Sequence, residues 1–189
     1  MQYLWRMIVA LVLSCALPLA PNATFGQTQE DKIVPYVPTP QEVVERMLAL
    51  AQVKSGDVVY DLGSGDGRIV ITAARKYGVR AIGFEIDPAR IRESRKNIEE
   101  ARVGNLVEIR QQDIRTVDLS PASVLTMYLL PEVNLMIRPN IWKQMKPGSR
   151  VVSHDFDMGD WRPLKTEYLK DGQNWEHTIY LWHVGDKMK

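Results

Sequence analysis

The fold is decided by the stretch DVVYDLGSGDGRIVITAARKYG, which occupies residues 57–78. Residues 57–61 are typical of a buried strand, because apolar side chains dominate a short run that a turn then closes. That turn contains three alternating glycines, Gly63, Gly65 and Gly67. Residues 68–77 carry apolar side chains at the spacing of a helix, and Gly78 ends it. A strand, a glycine-rich turn and a helix in this order predict the first unit of a parallel sheet.

The rest of the chain continues this alternation. Further strands are predicted at residues 79–84, 106–110, 123–128 and 150–154, followed by a closing hairpin with strands near 164–169 and 177–184. Helices are predicted from the capping box Thr39-Pro40-Gln41-Glu42, over residues 87–102, and from Pro131, with a kink or a restart at Pro139. The predicted fold class is α/β: a Rossmann-like, mainly parallel seven-stranded sheet with a C-terminal antiparallel hairpin strand.

Length and charge bound the function. A chain of 189 residues with 45% hydrophobic residues is long enough for one domain with a sizeable core. The 24 basic and 23 acidic residues nearly balance, and without the first 26 residues, which contain only Arg6, the counts are equal. A neutral domain has no electrostatic footprint for a nucleic acid backbone. We therefore predict no nucleic acid partner.

The first residues resemble a targeting segment rather than part of the folded domain. Arg6 precedes an apolar run over residues 7–19, and small or polar residues follow. This pattern is typical of a secretory signal peptide with a cut before Gln27; the alternative is an uncleaved N-terminal anchor. We thus predict a leader at residues 1–26 and a domain at 27–189, which is exported to the periplasm or anchored at a membrane. The single cysteine, Cys15, lies in the leader, so the domain has no disulfide and no cysteine zinc site, and we predict no metal site.

Polar residues gather where the predicted strands end. In a parallel α/β sheet, ligands bind outside the carboxyl ends of the strands, a region that we call the crest. The segments that reach it are residues 61–67, 85–87, 113, 128–131 and 154–157, and taken together they are rich in carboxylates.

The charges of the glycine-rich turn discriminate between two nucleotide ligands. A dinucleotide places its pyrophosphate on the helix N-terminus, and the carboxylates of Asp61 and Asp66 would repel it. S-adenosylmethionine (SAM) carries an ammonium and a sulfonium and no phosphate, so the same carboxylates attract it. Glu85, 24 residues after Asp61, is placed to accept hydrogen bonds from the ribose, and Asp113 either lies near the adenine or caps the turn that follows it. The predicted cofactor-binding residues are Asp61, Gly63, Ser64, Gly65, Gly67, Glu85 and Asp113.

These motifs resemble a known family. Asp61-Leu62-Gly63-Ser64-Gly65-Asp66-Gly67 is similar to the first motif of class I SAM-dependent methyltransferases, and Lys146-Pro147-Gly148 is similar to their turn before the fifth strand. Pro35-Tyr36-Val37-Pro38-Thr39-Pro40 and Tyr128-Leu129-Leu130-Pro131 resemble, more narrowly, the lysine methyltransferases of the mitochondrial ATP synthase c-subunit and adenine nucleotide translocase. The leader departs from this family, whose members work where SAM is made or imported.

The resemblance implies methyl transfer from SAM, with S-adenosylhomocysteine as product, to a protein lysine. A lysine must be neutral to attack, and an aromatic channel favours its deprotonation by desolvation. Tyr36, Tyr128 and Trp161 are the candidates to line that channel, and the two tyrosines are the candidate catalytic residues. The Asn/Asp-Pro-Pro-Tyr motif that binds planar amino groups is absent at Tyr128, which argues against nucleobase or glutamine acceptors.

The remaining crest residues have simpler interpretations. Asp66 and Asp87 are predicted helix caps. His154 is predicted to be a satisfied, half-buried histidine, whereas His177 and His183 are predicted to be structural, and Trp142 and Trp175 to pack.

Three functions remain open at this point. The first is methylation of a protein lysine, with membrane proteins among the candidate substrates. The second is methylation of a small molecule. The third is an exported SAM-binding protein without catalysis, because a periplasm has no obvious SAM supply.

Overall fold

A computed structural model of the protein describes residues 36–185. Within this range the chain forms α1 (Gln41–Leu50), α2 (Arg68–Tyr77), α3 (Pro88–Ala101) and α4 (Pro131–Gln144), with a short 3₁₀ turn at Ile114–Thr116. The strands are β1 (Val58–Leu62), β2 (Arg80–Glu85), β3 (Val107–Gln111), β4 (Val124–Met127), β5 (Arg150–His154), β6 (Lys165–Lys170) and β7 (Glu176–His183). The predicted strands are confirmed, with ends that differ by at most one residue. The predicted leader lies outside the described residues.

The strands form one seven-stranded sheet in the order β3-β2-β1-β4-β5-β7-β6. The first five strands run parallel, and β7 pairs antiparallel with both β5 and β6. The strand order reverses between β1 and β4, and such a switch point opens a crevice at the carboxyl ends of the strands. The predicted mainly parallel sheet with an antiparallel hairpin is confirmed.

Both faces of the sheet are buried. Successive strand residues alternate between two apolar cores, so that Val59 belongs to one core and Tyr60 to the other. The first core includes buried residues of α1, α2 and α3, and the second includes those of α4. A sheet that is covered in this way holds its strand ends rigidly, which suits a site built on the loops at one edge.

A polar cluster fixes the opposite, amino ends of three strands. The Ser123 hydroxyl donates to Asp57 Oδ1 at 2.8 Å and accepts from the Val58 N–H at 2.9 Å. Arg150 Nη2 lies 2.5 Å from Asp57 Oδ1, and both side chains are largely buried. Asp57, Ser123 and Arg150 thus join the starts of β1, β4 and β5 at the end of the sheet away from the crest.

The predicted cap of α1 and the predicted restart of α4 are wrong. Thr39 does not cap α1: the cap position is Pro40, which has no side-chain cap bond, and Thr39 Oγ1 instead lies 3.2 Å from His154 Nδ1. Pro139 does not restart the last helix, because α4 continues through it as one helix, and the alternative of a kink stays a prediction. Pro139 is exposed, so its ring meets solvent rather than a packed neighbour.

Two predictions about tryptophans are also wrong. Trp161 does not line a channel, since only 3% of it is exposed and its ring packs 5.4 Å from Trp142 and 5.7 Å from Trp182. Its carbonyl also accepts from Trp182 Nε1 at 2.6 Å. Trp161 therefore belongs to the core under α4, and packing of Trp142 is confirmed. Trp175 does not pack in the core, because 68% of it is exposed.

Candidate active site

The glycine-rich turn joins β1 to α2 and is held against β2. The N–H groups of Gly63 and Ser64 both donate to the Phe84 carbonyl, at 2.9 and 3.0 Å. Gly65 has a φ of +52°, and a Cβ there would lie 2.3 Å from Tyr36 Cε2. Glycine is required at this position by the backbone conformation and by the tyrosine ring above it.

Ser64 contributes its backbone rather than its hydroxyl to the crest. Its side chain is buried beside Gly83, where a Cβ would lie 2.5 Å from Ser64 Oγ. The hydroxyl has no hydrogen-bond partner among the described residues. Gly83 in β2 therefore makes room for the serine, which lets the turn lie close to the sheet.

Asp61 is a buried carboxylate at the end of β1. Only 2% of the residue is exposed, and Oδ1 accepts from Thr126 Oγ1 at 2.8 Å. Burial, helped by the charges of Glu85 and Asp66, raises the pKa of Asp61 to about 7 against the opposing effect of the Thr126 hydrogen bond. Because burial disfavours the ionised form of Asp61, a cation bound beside it would stabilise that form.

Glu85 ties the end of β2 to the same turn. Its Oε2 accepts from the Gly65 N–H at 2.9 Å, and its Oε1 accepts from the N–H groups of Ile86 and Asp87 at 2.8 and 3.0 Å. A carboxylate has about four acceptor positions, so three bonds orient the group and leave room for about one more. The predicted partner of that position is a ribose hydroxyl.

Asp66 and Arg68 form a pair at the start of α2. Arg68 Nη2 lies 2.5 Å from Asp66 Oδ2, and the Arg68 N–H donates to Asp66 Oδ1 at 3.1 Å, so Asp66 caps the helix although the cap position itself is Gly67. Burial alone would raise the pKa of Asp66, but the hydrogen bonds and charge of Arg68 outweigh it and lower the pKa. Asp66 is therefore charged near neutral pH.

Residues 36–40 cross the crest, and we call them the strap. The Tyr36 ring lies over Gly65 and below the Arg90 guanidinium, whose carbon is 4.8 Å from the ring centroid. The Thr39 carbonyl accepts from Arg68 Nη1 at 2.8 Å, and Thr39 Oγ1 meets His154. The strap thus connects the glycine turn after β1 with the end of β5.

Asp113 and Asp87 act as caps. Asp113 accepts from the Arg115 N–H at 2.9 Å and is ion-paired with its guanidinium, so the capping interpretation of Asp113 is confirmed. The hydrogen bonds and charge of Arg115 lower the pKa of Asp113. Asp87 caps α3 by accepting from the Ala89 N–H at 2.7 Å. A contact between Asp113 and adenine stays a prediction.

Tyr128 directly follows β4, and its ring lies in an aromatic cluster at the end of β5. Its ring centroid lies 4.0 Å from that of His154 and 6.1 Å from that of Phe156. Burial raises the pKa of Tyr128, and the nearby charge and hydrogen bond of Asp155 raise it further. The phenol is neutral near pH 7 and lies near the carboxylate of Asp155.

His154 is satisfied, as predicted, but it is fully buried rather than half-buried. Its Nε2 lies 2.9 Å from His177 Nδ1 and 3.2 Å from Asp155 Oδ2. Burial lowers the pKa of His154 to about 4, so the imidazole is neutral. The contact between His154 and His177 was not predicted from the sequence, although one signal was present: His177 falls on the same strand face as Ile179 and Leu181 of the first core.

The residues around the glycine turn fit SAM. Asp61 is a buried carboxylate without a cationic partner among the described residues, and Glu85 has about one acceptor position left. These two features match a ligand that carries positive charge and a hydroxylated ring. In SAM, the amino acid ammonium and the ribose supply those groups.

Comparisons with known proteins identify the family. Residues 61–165 match the model of the ANTKMT methyltransferase domain. The chain is 49% identical over 154 residues to a protein-lysine N-methyltransferase of Saccharolobus islandicus, covering 81% of this chain and 95% of that one. It is 31% identical to the adenine nucleotide translocase lysine N-methyltransferase of Mus musculus, over 78% of this chain and 64% of the mouse protein.

A solved relative shows the same fold with a bound product. The structure of an RNA methyltransferase from Salinibacter ruber in complex with S-adenosyl-L-homocysteine is 53% identical and has a TM-score of 0.74, covering 80% of this chain and 95% of that one. The chain has the fold of a class I Rossmann-like methyltransferase and is a SAM-dependent enzyme. It belongs to the ANTKMT methyltransferase domain family.

Proposed function

We propose that this protein transfers the methyl group of SAM to the ε-amine of a lysine in a protein substrate. When bound, SAM supplies a methyl group on a positively charged sulfur, which an amine lone pair can displace in line. The observation that carries the proposal is the end of β4, where Tyr128 lies between aromatic rings and the carboxylate of Asp155. Aromatic faces and a carboxylate attract a lysine side chain in its cationic form, which must then lose a proton before it attacks.

The side chains near Tyr128 have two tasks in this reaction. They must admit a lysine, whose free pKa is about 10.4, and favour its neutral form before attack. Partial burial against the rings of Tyr128 and Phe156 removes water from the amine, which lowers its pKa. Most of the acceleration then comes from alignment of the amine with the methyl group, because the methyl group is already activated.

The names of the relatives support a protein acceptor. The Saccharolobus and mouse proteins are named as protein-lysine and adenine nucleotide translocase lysine methyltransferases, whereas the Salinibacter protein is named an RNA methyltransferase. The balance of basic and acidic residues in this chain favours protein over RNA, because an RNA-binding surface needs excess positive charge. We therefore place the lysine acceptor first and RNA among the outcomes of the test.

The test uses the purified full chain, methyl-labelled SAM, and membrane and soluble extracts of the source organism. We expect label that survives ribonuclease, disappears with protease, and maps to methyl-lysine by mass spectrometry. Asp61→Asn is the variant that we expect to be inactive. Asp118→Asn is its matched control, because Asp118 is an exposed carboxylate that accepts a hydrogen bond from the Ser120 N–H. Label removed by ribonuclease alone, label only in small molecules, or absence of label with intact SAM binding would each refute the proposal.

We further infer that residues 1–26 direct the domain out of the cytoplasm or anchor it at a membrane, where its substrate would be a membrane or exported protein. The support is Arg6 followed by the apolar run at residues 7–19, together with the mouse and human relatives, which are named for the adenine nucleotide translocase and for the ATP synthase c-subunit. Among the described residues, no helix is long and apolar enough to cross a bilayer.

Fractionation of the source organism and N-terminal sequencing test this inference. A protein beginning at Gln27 in the periplasmic fraction indicates cleavage, and an intact chain in the membrane fraction indicates an anchor. An intact chain confined to the cytoplasmic fraction contradicts it.

A further inference from the structure

A compact group of potential ligands lies where β5, β7 and the strap meet. His154 Nε2, His177 Nδ1 and Asp155 Oδ2 form a triangle with edges of 2.9, 3.2 and 3.8 Å. In a tetrahedral zinc site with bonds of about 2.0–2.1 Å, ligand atoms lie about 3.3 Å apart. The three edges bracket that distance.

The outer nitrogen of each imidazole also faces an oxygen. His154 Nδ1 lies 3.2 Å from Thr39 Oγ1, and His177 Nε2 lies 3.4 Å from Asp171 Oδ2, although Nε2 makes no hydrogen bond to the described residues at that distance. Histidines that bind metals commonly donate their other N–H to a hydroxyl, carbonyl or carboxylate, which fixes the tautomer and turns the free lone pair toward the ion. With both outer nitrogens protonated, the two facing nitrogens and the Asp155 oxygen are three acceptors directed at one another, and they need a cation or a shared proton between them.

Burial and charge suit a metal ion at this position. His154 is fully buried, and the His177 and Asp155 side chains are only 12% and 27% exposed. A divalent ion would meet one negative charge from Asp155 and a second from Asp171 behind His177. The site is therefore close to neutral once an ion is bound.

We propose that His154, Asp155 and His177 bind one divalent transition-metal ion of the zinc type. Two imidazoles and one carboxylate are a common set of protein ligands for zinc, and three protein ligands leave a tetrahedral ion one open position. The competing arrangement is a chain of hydrogen bonds, in which Thr39 donates to His154, His154 to His177, and His177 to Asp171. The two arrangements differ in whether a metal ion binds.

The full chain without an affinity tag is a favourable object for this test. It contains only three histidines and one cysteine, so few other strong ligands compete. After chelation and dialysis, the protein is titrated with Zn²⁺ by calorimetry and with Co²⁺ by visible absorption. We expect one ion per chain and the intense absorption of low-coordinate Co²⁺. We also expect a Zn²⁺-dependent rise in the melting temperature.

Variants separate the metal site from general metal affinity. His154→Gln and His177→Gln should each weaken Zn²⁺ binding by at least about 100-fold, and Asp171→Asn by about 10–100-fold. Asp171→Asn is the gentlest of these changes, because Oδ1 still accepts from the N–H groups of Gln173 and Trp175. His183→Gln, on the same strand as His177, is the matched control and should bind as the unmodified protein does.

The melting temperature of each variant in chelator shows whether it folds, and a variant that fails to fold is replaced by Asp155→Asn. Unmodified protein that binds no more Zn²⁺ or Co²⁺ than the folded His177→Gln variant would overturn the proposal and leave the hydrogen-bond chain. Full Zn²⁺ affinity in that variant would also overturn it.

Discussion

At the scale of single residues, Asp61 combines a cost in stability with a gain in binding. We expect Asp61→Asn to weaken SAM binding measured by calorimetry, because a charge-assisted hydrogen bond is worth about 1.5–3 kcal/mol. We also expect its melting temperature at pH 8 to rise, because a buried carboxylate whose ionisation is unfavourable has been replaced by a neutral amide of the same shape. Asp118→Asn should change neither quantity. Lower stability together with unchanged SAM affinity would make Asp61 purely structural.

The raised pKa of Asp61 also predicts a pH dependence. The pKa of Asp61 is 3.8 in the unfolded chain and about 7 in the folded protein. The folded state therefore gains stability from the protonated carboxyl group at low pH, and this contribution is lost as the pH rises from about 4 through about 7. SAM affinity should show the opposite trend and fall below pH 7, by up to about tenfold per unit, as the carboxylate takes up a proton. The Asp61→Asn variant should show neither dependence in this range, and a dependence that persists in the variant would assign the titration to another group.

Tyr128 allows a second prediction for a single residue. If its hydroxyl, which lies near Asp155, positions the acceptor amine, Tyr128→Phe should lower turnover about tenfold or more and leave the SAM affinity and melting temperature unchanged. Tyr180→Phe, a partly buried tyrosine on β7 that packs against Trp182, is the control. Equal turnover in both variants, on the substrate found in the extracts, would remove the Tyr128 hydroxyl from the reaction.

At the scale of elements, the strap and the glycine turn depend on each other. Gly65→Ala introduces a Cβ into the Tyr36 ring in a left-handed backbone conformation, whereas Gly56→Ala meets the conformational cost alone, since nothing lies within 4 Å of that Cβ. We expect Gly65→Ala to lower the free energy of unfolding more than the control does. In a Tyr36→Ala background the two glycine changes should cost about the same, each about 1–2 kcal/mol. If Gly65→Ala still lowers the free energy of unfolding more than Gly56→Ala does in the Tyr36→Ala background, the ring is not the obstacle.

Helix α4 contains its own matched pair of prolines. Pro139→Ala restores a backbone N–H on the exposed face of α4, so it should raise the free energy of unfolding by about 1–3 kcal/mol, less the entropy that proline removes from the unfolded chain. Pro131→Ala, at the first turn where that N–H is unpaired anyway, should not stabilise the protein. Chemical denaturation measures both. A stabilising Pro131→Ala and a neutral Pro139→Ala would contradict this account.

The elements themselves were predictable, because their signals are local. Alternation, glycine-rich turns and the cap at Asp87 are encoded within a few residues, and they indicated the strands and most of the helices. Thr39 shows where this method fails. Its sequence matches a capping box, but its hydroxyl meets His154, 115 residues away, which no local pattern encodes. Trp161 was wrongly placed near the site for the same reason, since only the tertiary structure shows that it packs on Trp182.

The site was predictable in part. The charge pattern of the glycine turn pointed to SAM through Asp61 and Glu85, because the chemistry of a ligand is reflected in the residues beside one turn. The contacts of His177 with His154 and Asp155 were not predictable, since they depend on β7 lying next to β5, an arrangement that the sequence order of the strands does not reveal.

At the scale of the whole molecule, the two ends of the sheet have different tasks. The cluster of Asp57, Ser123 and Arg150 lies at the amino ends of the strands, away from the crest. Arg150→Gln leaves Asp57 buried without its cation and should lower the free energy of unfolding by about 3 kcal/mol. Because it does not touch the crest, SAM affinity at a temperature where the variant is folded should stay unchanged.

The control for this change is an exposed ion pair. Arg80→Gln removes a guanidinium 3.5 Å from Glu108 at the surface, so the free energy of unfolding should fall by about 1 kcal/mol or less. If Arg150→Gln costs no more than Arg80→Gln, the buried cluster does not hold the strand ends. If it also abolishes SAM binding in the folded state, the two ends of the sheet are not independent.

The place of β7 has a consequence for how the protein is made. It is the last described strand to leave the ribosome, yet it enters the sheet between β5 and β6 rather than adding to the outside. Until residues 176–183 have emerged, β5 is an open edge that another nascent chain can pair with. The growing polypeptide therefore spends most of its synthesis as an incomplete sheet, and we expect chaperones to protect it through that interval. A chain arrested on the ribosome before residue 176 has emerged should be protease-sensitive. A chain whose residues 176–185 have all emerged should be resistant.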